Sequence, residues 1–142
     1  MEETIQKLLA PTKGILANDE STGTITKRFA ALGLTSTPEL NRIYRQMLVT
    51  TPGIEKFISG IIFYDETVRQ NIDSGEIFPD YVSAKGIIPG VKADEGLESF
   101  EGSEQEATKG LENLPGKFDE YLNMGIKFTK WRGIFNITDI YP

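Results

Sequence analysis

The sequence predicts an α/β fold in which parallel strands alternate with helices, and three observations predict it. Four short apolar runs begin near Gly14, Gly60, Ile87 and Ile126, separated by segments whose apolar residues recur at helical spacing. The runs lack the polar alternation of a half-solvated strand, as expected when both faces are covered. Charged residues gather just after each run, at the edge where parallel α/β proteins hold their ligands. Alternation with crossover helices implies right-handed strand–helix–strand units.

The elements follow in order. Ile5, Leu8 and Leu9 mark a short amphipathic helix stopped by Pro11, and Gly14–Asn18 is the first buried strand. Ile25, Phe29 and Leu32 have helical spacing, with Gly33 at a C-cap position. Thr37-Pro38-Glu39 opens the next helix with a capping hydroxyl, a proline in the first turn and an early acid. Its expected apolar face is Leu40, Ile43, Tyr44, Met47 and Leu48, and Thr51-Pro52-Gly53 ends it. Gly60–Tyr64 is the second strand. A brief helix over Thr67–Ile72, a turn at Asp73-Ser74-Gly75 and a helix over Pro79–Lys85 closed by Gly86 lead to the third strand, Ile87–Lys92. Asp94–Lys109 is poor in apolar residues and reads as irregular. Leu114-Pro115 opens a helix carrying Phe118, Tyr121 and Leu122, closed by Gly125, before the fourth strand, Ile126–Arg132. No internal repeat exists beyond this rhythm.

Composition narrows the chemistry. The chain of 142 residues has the length of one ordinary domain. It contains no cysteine and no histidine, which removes disulfides, thiolate and imidazole metal ligands and Ser-His-Asp triads. Catalysis then falls to carboxylates, lysine, tyrosine or hydroxyls. The net charge of −6 comes from one stretch, Asp94–Glu106, with six acids and no base; elsewhere fifteen acids face fifteen bases. Such a run reads as solvated surface. No basic footprint suggests nucleic acid, no apolar run is long enough to span a membrane, and the acidic N-terminus is unlike a signal peptide. Asn136-Ile137-Thr138 matches a glycosylation sequon by chance. Gly110–Lys117 fails as a phosphate loop, having five residues between its glycines and Phe118 where a hydroxyl belongs.

Strand parity places the polar residues. Side chains at i and i+2 share a face, which groups Ile15, Ala17 and Asp19, then Ile88, Gly90 and Lys92, then Phe128, Lys130 and Arg132. A consistent arrangement puts Asp19, Lys92, Lys130 and Arg132 around one pocket. Two cations on one inner face need anionic company, from internal carboxylates or from an anionic ligand. A self-satisfied ion-pair network is the alternative. Ser21 and Thr24 read either as caps of the following helix or as phosphate ligands at its N-terminus. Lys27 and Arg28 read as solvated.

Six segments then resemble one family. Gly14-Ile15-Leu16-Ala17-Asn18-Asp19-Glu20-Ser21-Thr22-Gly23 is similar to the Asp-Glu-Ser signature of class I fructose-bisphosphate aldolase. Lys27-Arg28 and Tyr44-Arg45-Gln46-Met47-Leu48 continue the match. Gly60–Thr67, Gly90-Val91-Lys92-Ala93-Asp94 and Lys130-Trp131-Arg132 resemble the family's second, third and fourth strands. The resemblance implies a TIM (β/α)8 barrel that cleaves fructose 1,6-bisphosphate to glyceraldehyde 3-phosphate and dihydroxyacetone phosphate in glycolysis. It implies a lysine Schiff base, no cofactor and no metal, a cytoplasmic setting and, for the full-length family, a homotetramer. It assigns Asp19 to proton transfer and substrate hydroxyls, and Lys130 to charge stabilisation beside the Schiff base. Arg132 would orient substrate, and Ser21, Thr24 and Lys92 would hold a phosphate. Thr24 stands where many members carry serine, and Glu95 where animal members carry lysine.

The family's Schiff-base lysine belongs to the sixth strand, and this chain stops after the fourth, at Asp139-Ile140-Tyr141-Pro142. The expectation is therefore that residues 1–142 form the N-terminal half of the barrel, about its first four βα units. Such a half would expose strand edges, self-associate and be inactive alone. Three readings stay open: the N-terminal part of a longer aldolase, half of a split aldolase completed by a C-terminal chain in trans, or a non-catalytic remnant that binds phosphosugars or a partner.

Overall fold

Four parallel strands form the centre of the computed structural model, which describes residues 1–100, 105–135 and 137. Glu101 and Glu104 of the acidic run, Asn136 and Thr138 of the sequon, and Asp139–Pro142 lie outside the described residues. The strands are β1 (Gly14–Asn18), β2 (Ile58–Phe63), β3 (Ile88–Lys92) and, after a hairpin, β6 (Phe128–Lys130), in the order β1-β2-β3-β6. Ile15 pairs with Gly60, Ile62 with Gly90, and Lys92 with Lys130, so the strand ends stand level. The helices are α1 (Glu2–Leu8), α2 (Thr22–Ala30), α3 (Pro38–Val49), α4 (Asp65–Val68), α5 (Phe78–Ala84) and α6 (Leu114–Asn123). No helix among the described residues is long and apolar enough to cross a membrane.

The two sheet faces differ. Leu16, Ile61, Phe63 and Val91 point to the helices and pack with Val49, Val68, Phe78, Val82 and Tyr121 in one core. The opposite face carries Ile15, Ala17, Gly60, Ile62, Gly90 and Phe128. Its lower part is closed by Phe128 and by Leu8 of α1. A Cβ at Gly90 would collide with the Phe128 ring carbons, and one at Gly60 would meet the end of Leu8, so both positions need the missing side chain. Ser59 Oγ donates to the Leu8 carbonyl at 2.6 Å and anchors α1 there. Ile15 on this face is exposed.

Several sequence expectations change. The brief helix expected over Thr67–Ile72 lies at Asp65–Val68, and the second strand begins at Ile58. The Asp94–Lys109 segment is not irregular: β4 (Leu97–Ser99) and β5 (Glu106–Thr108) pair as an antiparallel hairpin. Strands of three residues carry too little alternation to be read, and the hairpin is extended by Glu95 and Lys109 backbone bonds rather than by side chains. The fourth strand ends at Lys130 instead of Arg132, because its partner β3 ends at Lys92 and the last rung is Ala93 N–H to the Lys130 carbonyl. The inward line of α3 is Asn41, Arg45 and Val49, while Ile43 and Met47 are exposed. Partners decide this: Asn41 accepts a bond from Ser36 Oγ at 2.8 Å, and Arg45 finds acceptors at the strand ends.

Candidate active site

The C-terminal ends of β1, β3 and β6 line a cleft of about 490 Å³. Asp19, Ser21, Thr24, Lys92, Lys130 and Arg132 all line it, together with Glu20, Arg28 and the hairpin residues Gly96 and Leu97. Level strand ends explain the convergence: Lys92 and Lys130 close β3 and β6, and Asp19 follows β1 directly, so all three emerge at the same height. A second cavity, of about 460 Å³, lies at the opposite ends of the strands. Its charged residues are Glu3, Lys7 and Lys127, all exposed, and Glu3 and Lys7 pair with each other.

Lys130 Nζ donates to Asp19 Oδ2 at 2.6 Å, across 111 residues of sequence. Asp19 is nearly buried and Lys130 is about half exposed, so the carboxylate is fixed and the ammonium reaches the cleft. Lys92 pairs with Asp94 at 2.5 Å. Ser21 caps α2, its Oγ accepting from Thr24 N–H at 3.4 Å and lying 3.1 Å from Thr24 Oγ1. Two hydroxyls at a helix N-terminus beside two lysines suit an anion. Arg132 forms no ion pair among the described residues, and its carbonyl accepts from Thr108 Oγ1 at 2.7 Å, which docks β5 beside the cleft.

Other residues at the rim were not singled out by sequence reasoning. Arg28 is not simply solvated. It pairs with Glu20 and bonds the Tyr44 hydroxyl at 3.4 Å, and the Glu20 charge, then the Tyr44 bond, raises its pKa. Arg45 is wholly buried. It donates to the Glu20 carbonyl at 2.9 Å and to Glu66 Oε2 at 3.0 Å, with its guanidinium 5.4 Å from the Tyr64 ring centre. It thereby ties the turn bearing Asp19 to the end of β2. Asp94, read as part of a solvated acidic run, is buried. Its parity with Lys92, two residues earlier, was the available signal. Glu95 instead faces outward and bonds Lys117 at 2.6 Å and Asn113 at 3.1 Å; the Lys117 bond, then the Asn113 bond, lowers its pKa.

Below the rim, Tyr121 donates to Asp65 Oδ1 at 2.8 Å, and Arg69 bridges Asp65 and Glu120. This ties the start of α4 to α6. Burial, then the bond to Asp65, raises the Tyr121 pKa, keeping it a hydrogen-bond donor. Among the described residues no group of three or more Asp and Glu side chains is arranged to hold a metal ion. Chemically, the cleft offers a carboxylate and an ammonium in direct contact, suited to moving a proton, beside cations and hydroxyls suited to an anion.

The family model for fructose-bisphosphate aldolase class-I matches residues 1–142. The chain belongs to that family. A probable class 1 fructose-bisphosphate aldolase of Xanthomonas axonopodis pv. citri is 46% identical over 143 residues, covering 100% of this chain and 43% of the relative. Fructose-bisphosphate aldolase 1 of Toxoplasma gondii is 44% identical over 96% of this chain and 38% of its own length. The solved Plasmodium falciparum aldolase, in complex with TRAP and a small-molecule inhibitor, superposes with a TM-score of 0.87 and is 43% identical. That match covers 92% of this chain and 38% of the other. The chain thus spans about two fifths of the aldolases it matches, and its parallel sheet is part of a TIM barrel.

Proposed function

We propose that residues 1–142 form the N-terminal half of a class I aldolase barrel and supply part of its active site for reversible cleavage of fructose 1,6-bisphosphate. The observation that carries this reading is the Asp19–Lys130 pair, 2.6 Å apart, in one cleft with Lys92 and the capped start of α2. Substrate enters as an anion. Ser21, Thr24 and Lys92 hold one phosphate, and Arg132 orients the sugar from the open side. Asp19 accepts hydrogen bonds from substrate hydroxyls and takes up the proton released as the carbon–carbon bond breaks. Lys130 returns a proton and stabilises negative charge that develops next to it.

The nucleophilic amine is supplied by the remaining strands, in cis or in trans, and the assembled enzyme is a cytoplasmic homotetramer. These 142 residues alone bind a phosphorylated sugar without turning it over. A coupled assay of triose phosphate release tests this. The chain alone should give no cleavage, and mixing with the C-terminal part of a related aldolase should restore it. Cleavage by the chain alone would overturn the reading, as would the absence of any restored activity from a mixture shown to assemble.

A further inference from the structure

Asp94 lies directly behind the cleft, and its carboxylate is fully buried. Lys92 ends β3 with its side chain in the cleft wall and only 9% exposed. An ammonium has three donors and no acceptor. Two of those donors are engaged by one residue: Lys92 Nζ donates to the Asp94 carbonyl at 2.8 Å and to Asp94 Oδ1 at 2.5 Å. The same Oδ1 accepts the Gly96 N–H at 3.2 Å, closing a turn of the kind aspartate makes with the backbone two residues on. Gly96 has φ 100°, a conformation that favours glycine, so the turn is set by backbone as well as side chain. Asp94 Oδ2 is buried and has no hydrogen-bond partner among the described residues, so the carboxylate's compensation for burial rests on Oδ1.

The geometry points to Asp94 as a positioning residue of the phosphate subsite: it fixes the Lys92 ammonium against the cleft wall and leaves one N–H for a phosphate oxygen. A free lysine would lose most of its rotamer freedom on meeting the anion. Here that ordering is done beforehand by Asp94, and the ligand meets a prepared donor. The inference rests on the cleft being a phosphosugar site.

The sign of one substitution separates positioning from plain electrostatics. Asp94→Asn removes a negative charge beside Lys92, so electrostatics alone predicts tighter binding of an anion. Loss of positioning predicts weaker binding, by about tenfold, given the usual strength of charge-assisted hydrogen bonds. Inorganic phosphate is titrated into the 142-residue chain and followed by NMR. Wild type, Asp94→Asn, Lys92→Met and the double variant are compared. The expected result is weaker binding for Asp94→Asn, and no further loss when it is added to Lys92→Met. Equal or tighter binding by Asp94→Asn, or equal losses in both backgrounds, overturns the inference. If the wild-type chain shows no saturable phosphate shifts, the phosphosugar reading fails, and the inference with it. Should Asp94→Asn fail to fold, the wild-type lysine spectrum decides. Slow exchange of the Lys92 ammonium protons with water, together with a shift on adding phosphate, supports the inference; fast exchange overturns it.

Discussion

Replacing Arg45 by methionine removes a guanidinium with no exposed surface while nearly keeping the side chain's apolar stem. The bonds lost run to the Glu20 carbonyl at 2.9 Å and to Glu66 at 3.0 Å. Glu66 is about one third exposed, so water recovers part of its solvation, while the Glu20 carbonyl is left inside. Breaking a buried pair from one side costs about 3–5 kcal/mol, against a typical domain stability of about 5–15 kcal/mol. With a urea slope of about 2 kcal/mol per molar, the unfolding midpoint should fall by roughly 2 M. Arg45→Lys should fall between, since an ammonium keeps the charge but cannot span both acceptors. Urea unfolding followed by circular dichroism checks this, with Lys7→Ala, in the exposed Lys7–Glu3 pair, as the control that should leave the midpoint unmoved. A midpoint for Arg45→Met within about 0.5 M of wild type would refute the argument that this buried guanidinium holds the Asp19 turn.

Gly90→Ala should destabilise the chain by about 1–3 kcal/mol, because its Cβ collides with a rigid ring. Gly60→Ala meets the flexible end of Leu8 and should cost less, while Gly14→Ala meets nothing and should be neutral or better; thermal melts rank the three. Burial raises the Asp65 pKa, but the bonds from Arg69 and Tyr121 outweigh it, and the net value lies below the ordinary 3.8. A depressed carboxyl contributes stability above its unfolded pKa and loses it as the pH falls through the folded value. Wild type should therefore lose stability below about pH 4 more steeply than Asp65→Asn, as pH-dependent urea midpoints would show. Borohydride reduction with dihydroxyacetone phosphate should leave Lys130 unlabelled on peptide mapping. Its amine is held by Asp19 in an open cleft, and a trapped adduct there would contradict its assignment as a proton and charge partner.

Much of the architecture could be read from local pattern, because in a parallel sheet the pattern and the burial coincide. Gly14–Asn18 emerges as a strand at the expected bounds, and glycines at 33, 86 and 125 carry the positive φ that ends their helices. Parity did more than propensity. It places Asp19, Lys92, Lys130 and Arg132 on one face, and the structure sets them around one cleft. What stayed hidden depends on long-range partners. Arg45 sits mid-helix and is buried only because the ends of β1 and β2 offer it acceptors. Ile43 and Met47 look like core but face outward for the same reason. Arg28 owes its position to Glu20 and Tyr44, neither adjacent in sequence. The β4–β5 hairpin is held by backbone bonds, which leave no side-chain periodicity to read.

The most direct test of the half-site account is an NMR titration of the 142-residue chain with fructose 1,6-bisphosphate. The account predicts saturable shifts centred on Asp19, Ser21, Thr24, Lys92 and Lys130, with the sugar recovered uncleaved. Shifts centred instead on Lys7 and Lys127 at the opposite cavity, or no saturable shifts at all, would contradict it.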